Sequence, residues 1–149
     1  MIRDLSVWIE QHALSSPDRV AIRFDGVEIS YRALHVRIQR TAGFLHNTHG
    51  VSLGDRVAYL GFNTPECVIV LFACAKLGAL YLPLNWRLAP PELDHVLGHA
   101  EPKVLISDSH HWDPAVGLVT GRSECTLIDC ENIISTSEDC DTTLTESNF

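Results

Sequence analysis

The sequence lacks the common nucleotide-binding loops. Neither G-x-G-x-x-G nor G-x-x-x-x-G-K-[ST] occurs in its 149 residues, so the dinucleotide fingerprint and the phosphate-cradling loop are both excluded. No G-x-S-x-G is present, which rules out the strained serine elbow of one large hydrolase class. Cysteine is present five times, an odd number, without a single C-x-x-C. A regular disulfide framework is therefore excluded, and a reducing, cytoplasmic compartment is expected. The opening Met1-Ile-Arg-Asp-Leu-Ser6 contains no apolar h-region, so no secretory signal is expected. Basic residues are missing from 124–149, which carry seven acids, whereas 1–123 balance 12 acids against 11 bases. The net charge of −8 argues against broad nucleic-acid or anionic-membrane binding.

What is present is an ordinary globular balance, 46% hydrophobic and 20% charged. The most apolar stretch runs from Cys67 to Leu84. It approaches spanning length, but Lys76 at its middle and Gly78 and Pro83 beyond it argue against a membrane helix.

Periodicity organises the chain. Ser6–His12 reads as a short helix stopped by Ser15-Ser16-Pro17-Asp18. Val20–Phe24 and Val27–Ser30 flank Asp25-Gly26, the signature of a β-hairpin. Ser30 can cap a helix with an apolar face of Leu34, Ile38, Ala42 and Leu45, and Gly50 can close it. Arg56–Leu60 reads as a strand. Thr64-Pro65-Glu66 predicts a helix start with a capping hydroxyl, and Pro65–Leu77 is apolar nearly all round before Gly78. Ala79–Leu84 is the next strand, with Pro83 forcing its end. A short helix over Pro90–Leu97 and a strand over Lys103–Ser107 follow, and after the pattern fades from Ser109 onward Leu127–Cys130 reads as one more strand. Strands alternating with helices predict an α/β fold with a parallel sheet.

Candidate chemistry is sparse. His95 and His99 have metal-ligand spacing, but no third ligand accompanies them. His110-His111 lies in a loop and reads as chance proximity. Asp108 follows a strand's C-terminal end, a favoured place for ligand contacts; as a lone carboxylate it reads more often as a turn residue.

Three segments together carry a resemblance. They are Ile29-Ser-Tyr-Arg-Ala-Leu34, Gly50-Val-Ser-Leu-Gly-Asp-Arg-Val-Ala-Tyr-Leu-Gly-Phe-Asn-Thr-Pro-Glu66 and Ala75-Lys-Leu-Gly-Ala-Leu-Tyr-Leu-Pro-Leu-Asn85. In this order and spacing the chain resembles the N-terminal part of the AMP-forming adenylating superfamily. Asn85-Trp-Arg-Leu88 followed by Pro91-Glu-Leu93 is similar to its acyl-CoA and aryl-CoA ligase branch. The resemblance implies a partial N-terminal α/β subdomain over 1–108, followed by a weakly patterned extension over 109–134. The acidic tail over 135–149 is expected to be disordered.

The resemblance also implies a reaction of a carboxylic acid, ATP and coenzyme A to acyl-CoA, AMP and pyrophosphate. The family's phosphate-binding segment, adenine and ribose motifs and catalytic lysine come after the matched region. No catalytic residue is therefore expected here, and neither ATP, Mg nor coenzyme A is expected to be held by this chain alone. Arg87 is the one residue that the resemblance places near a ligand, on a phosphate of coenzyme A, a task suited to a guanidinium. A surface arginine in an ion pair is the plainer reading. Partners implied are the remaining portion of a ligase or a second copy of the chain, the latter because apolar surface around Val68, Leu71, Phe72 and Leu80 would stay open. A non-catalytic module pairing with a full-length ligase is the alternative.

Overall fold

The computed structural model describes residues 4–138. Helix α1 (Ser6–Ser15) leads into a hairpin of β1 (Val20–Phe24) and β2 (Val27–Ser30). Asp25 and Gly26 both have positive φ, 48° and 75°, as a tight hairpin turn requires. Next come α2 (Tyr31–His49), β3 (Arg56–Leu60), α3 (Pro65–Leu77), β4 (Leu80–Leu84), α4 (Pro90–Ala100) and β5 (Val104–Ser107). A 3₁₀ turn (Ser109–His111), α5 (Trp112–Val119), β6 (Thr126–Asp129) and α6 (Cys130–Glu138) complete the described chain.

Local chemistry accounts for the helix ends. The Ser30 hydroxyl accepts the Ala33 N–H at 3.2 Å, and Gly50 closes α2 in the left-handed region at φ 64°. Gly78 closes α3 likewise, at φ 68°. The expected Thr64 cap is not made: its side chain accepts no bond from the first turn of α3. Pro65 at the first helical position offers no N–H to satisfy and pre-sets φ, which removes part of the need. At α4 the Glu92 carboxylate accepts the Ala89 N–H at 2.8 Å.

Four strands form one parallel sheet in the order β4-β3-β5-β6. Both its faces are covered, so the interior of its central strands is apolar on both sides, from Val57 to Leu60 and from Val104 to Ile106. Val57, Tyr59, Val104, Ile106 and Ile128 face α2, α3 and α6 through Ala42, Leu45, Val70, Ala73 and Ile133. Ala58, Leu60 and Leu105 face α4 and α5 through Leu93, Leu97, Ala115 and Leu118. A smaller cluster of Ile29, Leu34, Ile38 and Ile69 seats the hairpin on α2 and α3.

Strand β4 ends at Leu84, one residue past Pro83, as read; it lies at the sheet edge, where a missing N–H is tolerated. The stretch after Ser109, weakly patterned in sequence, supplies α5 and α6, and the strand read over Leu127–Cys130 is β6, the fourth strand of the same sheet. Helix α6 runs to Glu138, into the expected tail; the rest of that tail, 139–149, lies outside the described residues. Of the apolar surface expected to stay open, Leu80 is 56% exposed, while Val68, Leu71 and Phe72 are half-buried. Among the described residues no helix is long and apolar enough to cross a membrane.

Candidate functional site

The chain leaves β3 toward β4 on one side and leaves β5 toward β6 on the other. The C-terminal ends of β3 and β5 therefore flank a topological switch point, where open α/β sheets hold their ligands. Three strand exits converge there. Gly61-Phe62 follows β3, Asn85-Trp86-Arg87 follows β4, and Asp108 to His111 follows β5.

Asp108 joins two of these exits. Its Oδ2 accepts the Phe62 N–H at 2.8 Å. Its Oδ1 accepts the His111 N–H at 3.0 Å and lies 2.6 Å from His111 Nδ1. The Asp108 N–H donates to Leu60 O at 3.3 Å, and the buried Ser107 hydroxyl donates to Asp108 O at 3.2 Å. Partial burial of the carboxylate works against its ionisation. The Phe62 N–H, the His111 ring and the His111 N–H outweigh this and hold it below the ordinary carboxylate range. The approach depends on Gly61: a Cβ there would stand 2.8 Å from Asp108 Oδ2.

An aromatic group sits on this frame. The Phe62 ring meets Trp86, His110 and His111 edge to face, with centroids 5.1, 5.2 and 4.8 Å apart. Trp86 and His111 are 5.5 Å apart and tilted. The Arg87 guanidinium lies over the Trp86 ring at 4.6 Å, a cation–π geometry, and Asn85 Oδ1 accepts the Arg87 N–H at 3.1 Å. Among the described residues no carboxylate forms an ion pair with Arg87. The plainer reading of an ion-paired surface arginine is thus replaced by a guanidinium parked on an indole. Phe62 and Trp86 remain 37% and 38% exposed, enough to offer ring surface to a ligand.

The structure therefore brings Arg87 and Asp108 to one sheet end and adds Phe62, Trp86, His110 and His111. His110 and His111 do not act as a pair: His111 is tied to Asp108 and packed against Phe62 and Trp86, while His110 meets Phe62 alone among the rings described. His95 and His99 lie exposed on α4, away from this end. Among the described residues no group of three His, Cys, Asp or Glu side chains could hold a metal ion. The buried thiols of Cys74 and Cys130 are pushed up to about 12 by burial, so they are unreactive core residues rather than nucleophiles.

Comparison with known proteins adds the family. The profile of the AMP-binding enzyme family matches residues 9–147. An indoleacetate–CoA ligase from Aromatoleum aromaticum is 48% identical over 102 residues, which are 68% of this chain and 20% of that ligase. A feruloyl-CoA synthase from an Amycolatopsis species is 42% identical over 118 residues, 79% of this chain and 24% of the synthase. Among solved structures, the N-terminal domain of FACL13 from Mycobacterium tuberculosis superposes with a TM-score of 0.82 at 25% identity, covering 98% of this chain and 39% of that one. The chain spans between a fifth and a quarter of the length of these two curated relatives.

Proposed function

The chain belongs to the AMP-binding enzyme family and matches the N-terminal domain of its acyl-CoA ligases, and from that premise we propose that it serves coenzyme A ligation of a carboxylic acid. In the complete reaction the acid and ATP form an acyl-adenylate and pyrophosphate. The acyl group then passes to the thiol of coenzyme A with release of AMP. Indoleacetate and ferulate in the names of the two curated relatives make aryl acids the first substrate class to test. Cytoplasm is the expected compartment.

Within this reading the 149 residues catalyse neither half-reaction alone. They supply scaffold and one ligand contact, and Mg-ATP is handled by a complementary ligase portion. Arg87 contacts a phosphate of coenzyme A. The observation that carries this is the placement of Arg87 beside the switch point, over the Trp86 ring and without a carboxylate partner among the described residues. Phe62 and Trp86 beside it offer faces on which a purine can stack.

A chimera tests the proposal. Residues 9–138 replace the matched segment of the indoleacetate–CoA ligase, and coenzyme A ligation is measured with aryl and fatty acids. Turnover by the chimera, with Arg87→Ala raising KM for coenzyme A about tenfold as expected for one lost charge-assisted contact, supports it. A chimera whose KM for coenzyme A ignores Arg87→Ala overturns the Arg87 assignment. Acid-dependent pyrophosphate exchange by the pure 149-residue protein overturns the division of labour.

A further inference from the structure

Asp108 spends its whole carboxylate on two neighbours. Oδ2 is taken by the Phe62 N–H, and Oδ1 by the His111 N–H and ring. An ionised carboxylate only accepts hydrogen bonds, so at 2.6 Å the His111 Nδ1 carries a proton and donates it. This fixes the tautomer of the ring and its plane. The His111 ring then stands edge-on to Phe62 and tilted to Trp86, and Trp86 carries Arg87. A run of contacts thus leads from one carboxylate to the guanidinium: Asp108 to His111, His111 to Trp86, Trp86 to Arg87. Gly61 leaves the space that lets the carboxylate reach both strand exits.

We propose that Asp108 is a positioning residue, which orients His111 and through it the Trp86–Arg87 platform on which a phosphate-bearing nucleotide is received. The affinity part of this rests on the coenzyme A reading of Arg87; the orienting part does not. A carboxylate that merely stapled β3 to β5 would need the Phe62 bond alone. The second bond, to a ring in contact with Trp86, is what a staple leaves unexplained.

The test uses the full 149-residue protein and compares Asp108→Ala with His111→Gln. The first removes both carboxylate oxygens, so the Phe62 bond and the acceptor of the Nδ1 proton go together. The second keeps the Asp108–Phe62 bond and removes only the ring. Nitrogen NMR of the histidine rings reads the tautomer, and the indole N–H of Trp86, assigned with Trp86→Phe, reads the platform. Coenzyme A itself is the titrant. The expected result is loss of the Nδ1-protonated tautomer in Asp108→Ala and a displaced Trp86 resonance in both variants. Coenzyme A binding should weaken about tenfold in both, as expected when one charge-assisted bond is lost. A Trp86 resonance unmoved in folded His111→Gln overturns the proposal, and so does an unchanged tautomer in Asp108→Ala. If wild type gives no coenzyme A signal, the reading of Arg87 falls, while the tautomer and the Trp86 resonance still decide the positioning role.

Discussion

Where the parallel strands begin, two cations are matched to carboxylates and fasten neighbouring loops. Lys103 Nζ bonds Gly50 O at 2.7 Å and Asp55 Oδ2 at 3.0 Å, joining the end of α2 to the approaches of β3 and β5. Asp55 also accepts the Ser52 N–H at 2.8 Å, and Arg122 pairs with Asp94 at 2.9 Å ahead of β6. Where β3, β4 and β5 end, Asp108 pairs with His111, beside rings with exposed faces and an arginine that, among the described residues, has no carboxylate partner. Every cation named at the first end has a partner that a loop or cap needs. The cation at the second end rests on an aromatic face and keeps its donors for something else. Paired charge at a sheet end marks fastening; unpaired charge beside exposed rings marks a place kept for a ligand.

The largest expected effect lies at the fastening end. Gly78 has φ 68°, and a Cβ there would fall 2.5 Å from Leu53 Cδ1. Leu53 is 84% exposed and can swing aside, so the backbone sets the cost. Gly78→Val should lower stability by about 2 kcal/mol, since a β-branched residue is strained at positive φ. Gly54→Ala, at φ 83° with open space around it, should cost about 1 kcal/mol. Equal denaturation midpoints for Gly78→Val and wild type would show that the cap is not under this constraint.

Gly61→Ala comes next and acts at the other end. The added methyl meets Asp108 Oδ2, and overpacking of this kind costs about 1 kcal/mol. Its signature should be a changed near-ultraviolet dichroism from Trp86, which Gly54→Ala leaves alone. The same spectrum in both variants would dissolve the distinction between the two ends.

Lys103→Met should cost under about 1 kcal/mol, because partly exposed pairs are weak and screened. It should leave coenzyme A binding untouched, whereas Arg87→Ala reverses that pattern. Stability and affinity measured side by side in 0.05 and 0.5 M salt would check the contrast; the two concentrations are chosen on the order of the screening range.

Acid should give the smallest, broadest effect. Both Asp55 and Asp108 titrate below the ordinary carboxylate range. Asp55 is held there by Lys103 and the Ser52 N–H, and Asp108 by the donors that outweigh its burial. Their folded pKa values lie below the unfolded ones, so their stabilisation is complete above the unfolded value, about 4. It is lost as pH falls from there through the folded values. The midpoint should stay level from neutral pH to about 5 and decline below about 4. Asp55→Asn and Asp108→Asn should each flatten that decline; a slope unchanged in both would mean that other carboxylates govern it.

Much of the scaffold was legible because it is local. Ser30, Gly50 and Gly78 are terminal signals read within one helical turn, and the hairpin announces itself in Asp25-Gly26. The sheet order is not local, and the candidate site depends on it. Phe62, Trp86 and His111 become neighbours only because β3 lies between β4 and β5, and no periodicity reveals that order. A faint signal existed: all three stand in the segments that leave a strand's C-terminal end, the position where α/β folds place ligand contacts. The Thr64 cap failed for the opposite reason. Its sequence pattern was correct, but with proline at the first helical position the geometry was satisfied without the hydroxyl. After Ser109 only the strand over Leu127–Cys130 could be read; α5 is too brief for a period to stand out, and tertiary burial of Ala115 and Leu118 decides it.

Pro83 has a consequence for how this protein behaves when crowded. Strand β4 is the outer rail of the sheet, and Leu80 in it is 56% exposed. A rail of that kind invites a neighbouring chain to add a strand and begin a fibre. Proline interrupts the row of amide donors. A ribbon growing outward from β4 would meet a gap in its hydrogen-bonded ladder, so the residue that looks like a flaw in the strand works as a guard against polymerisation.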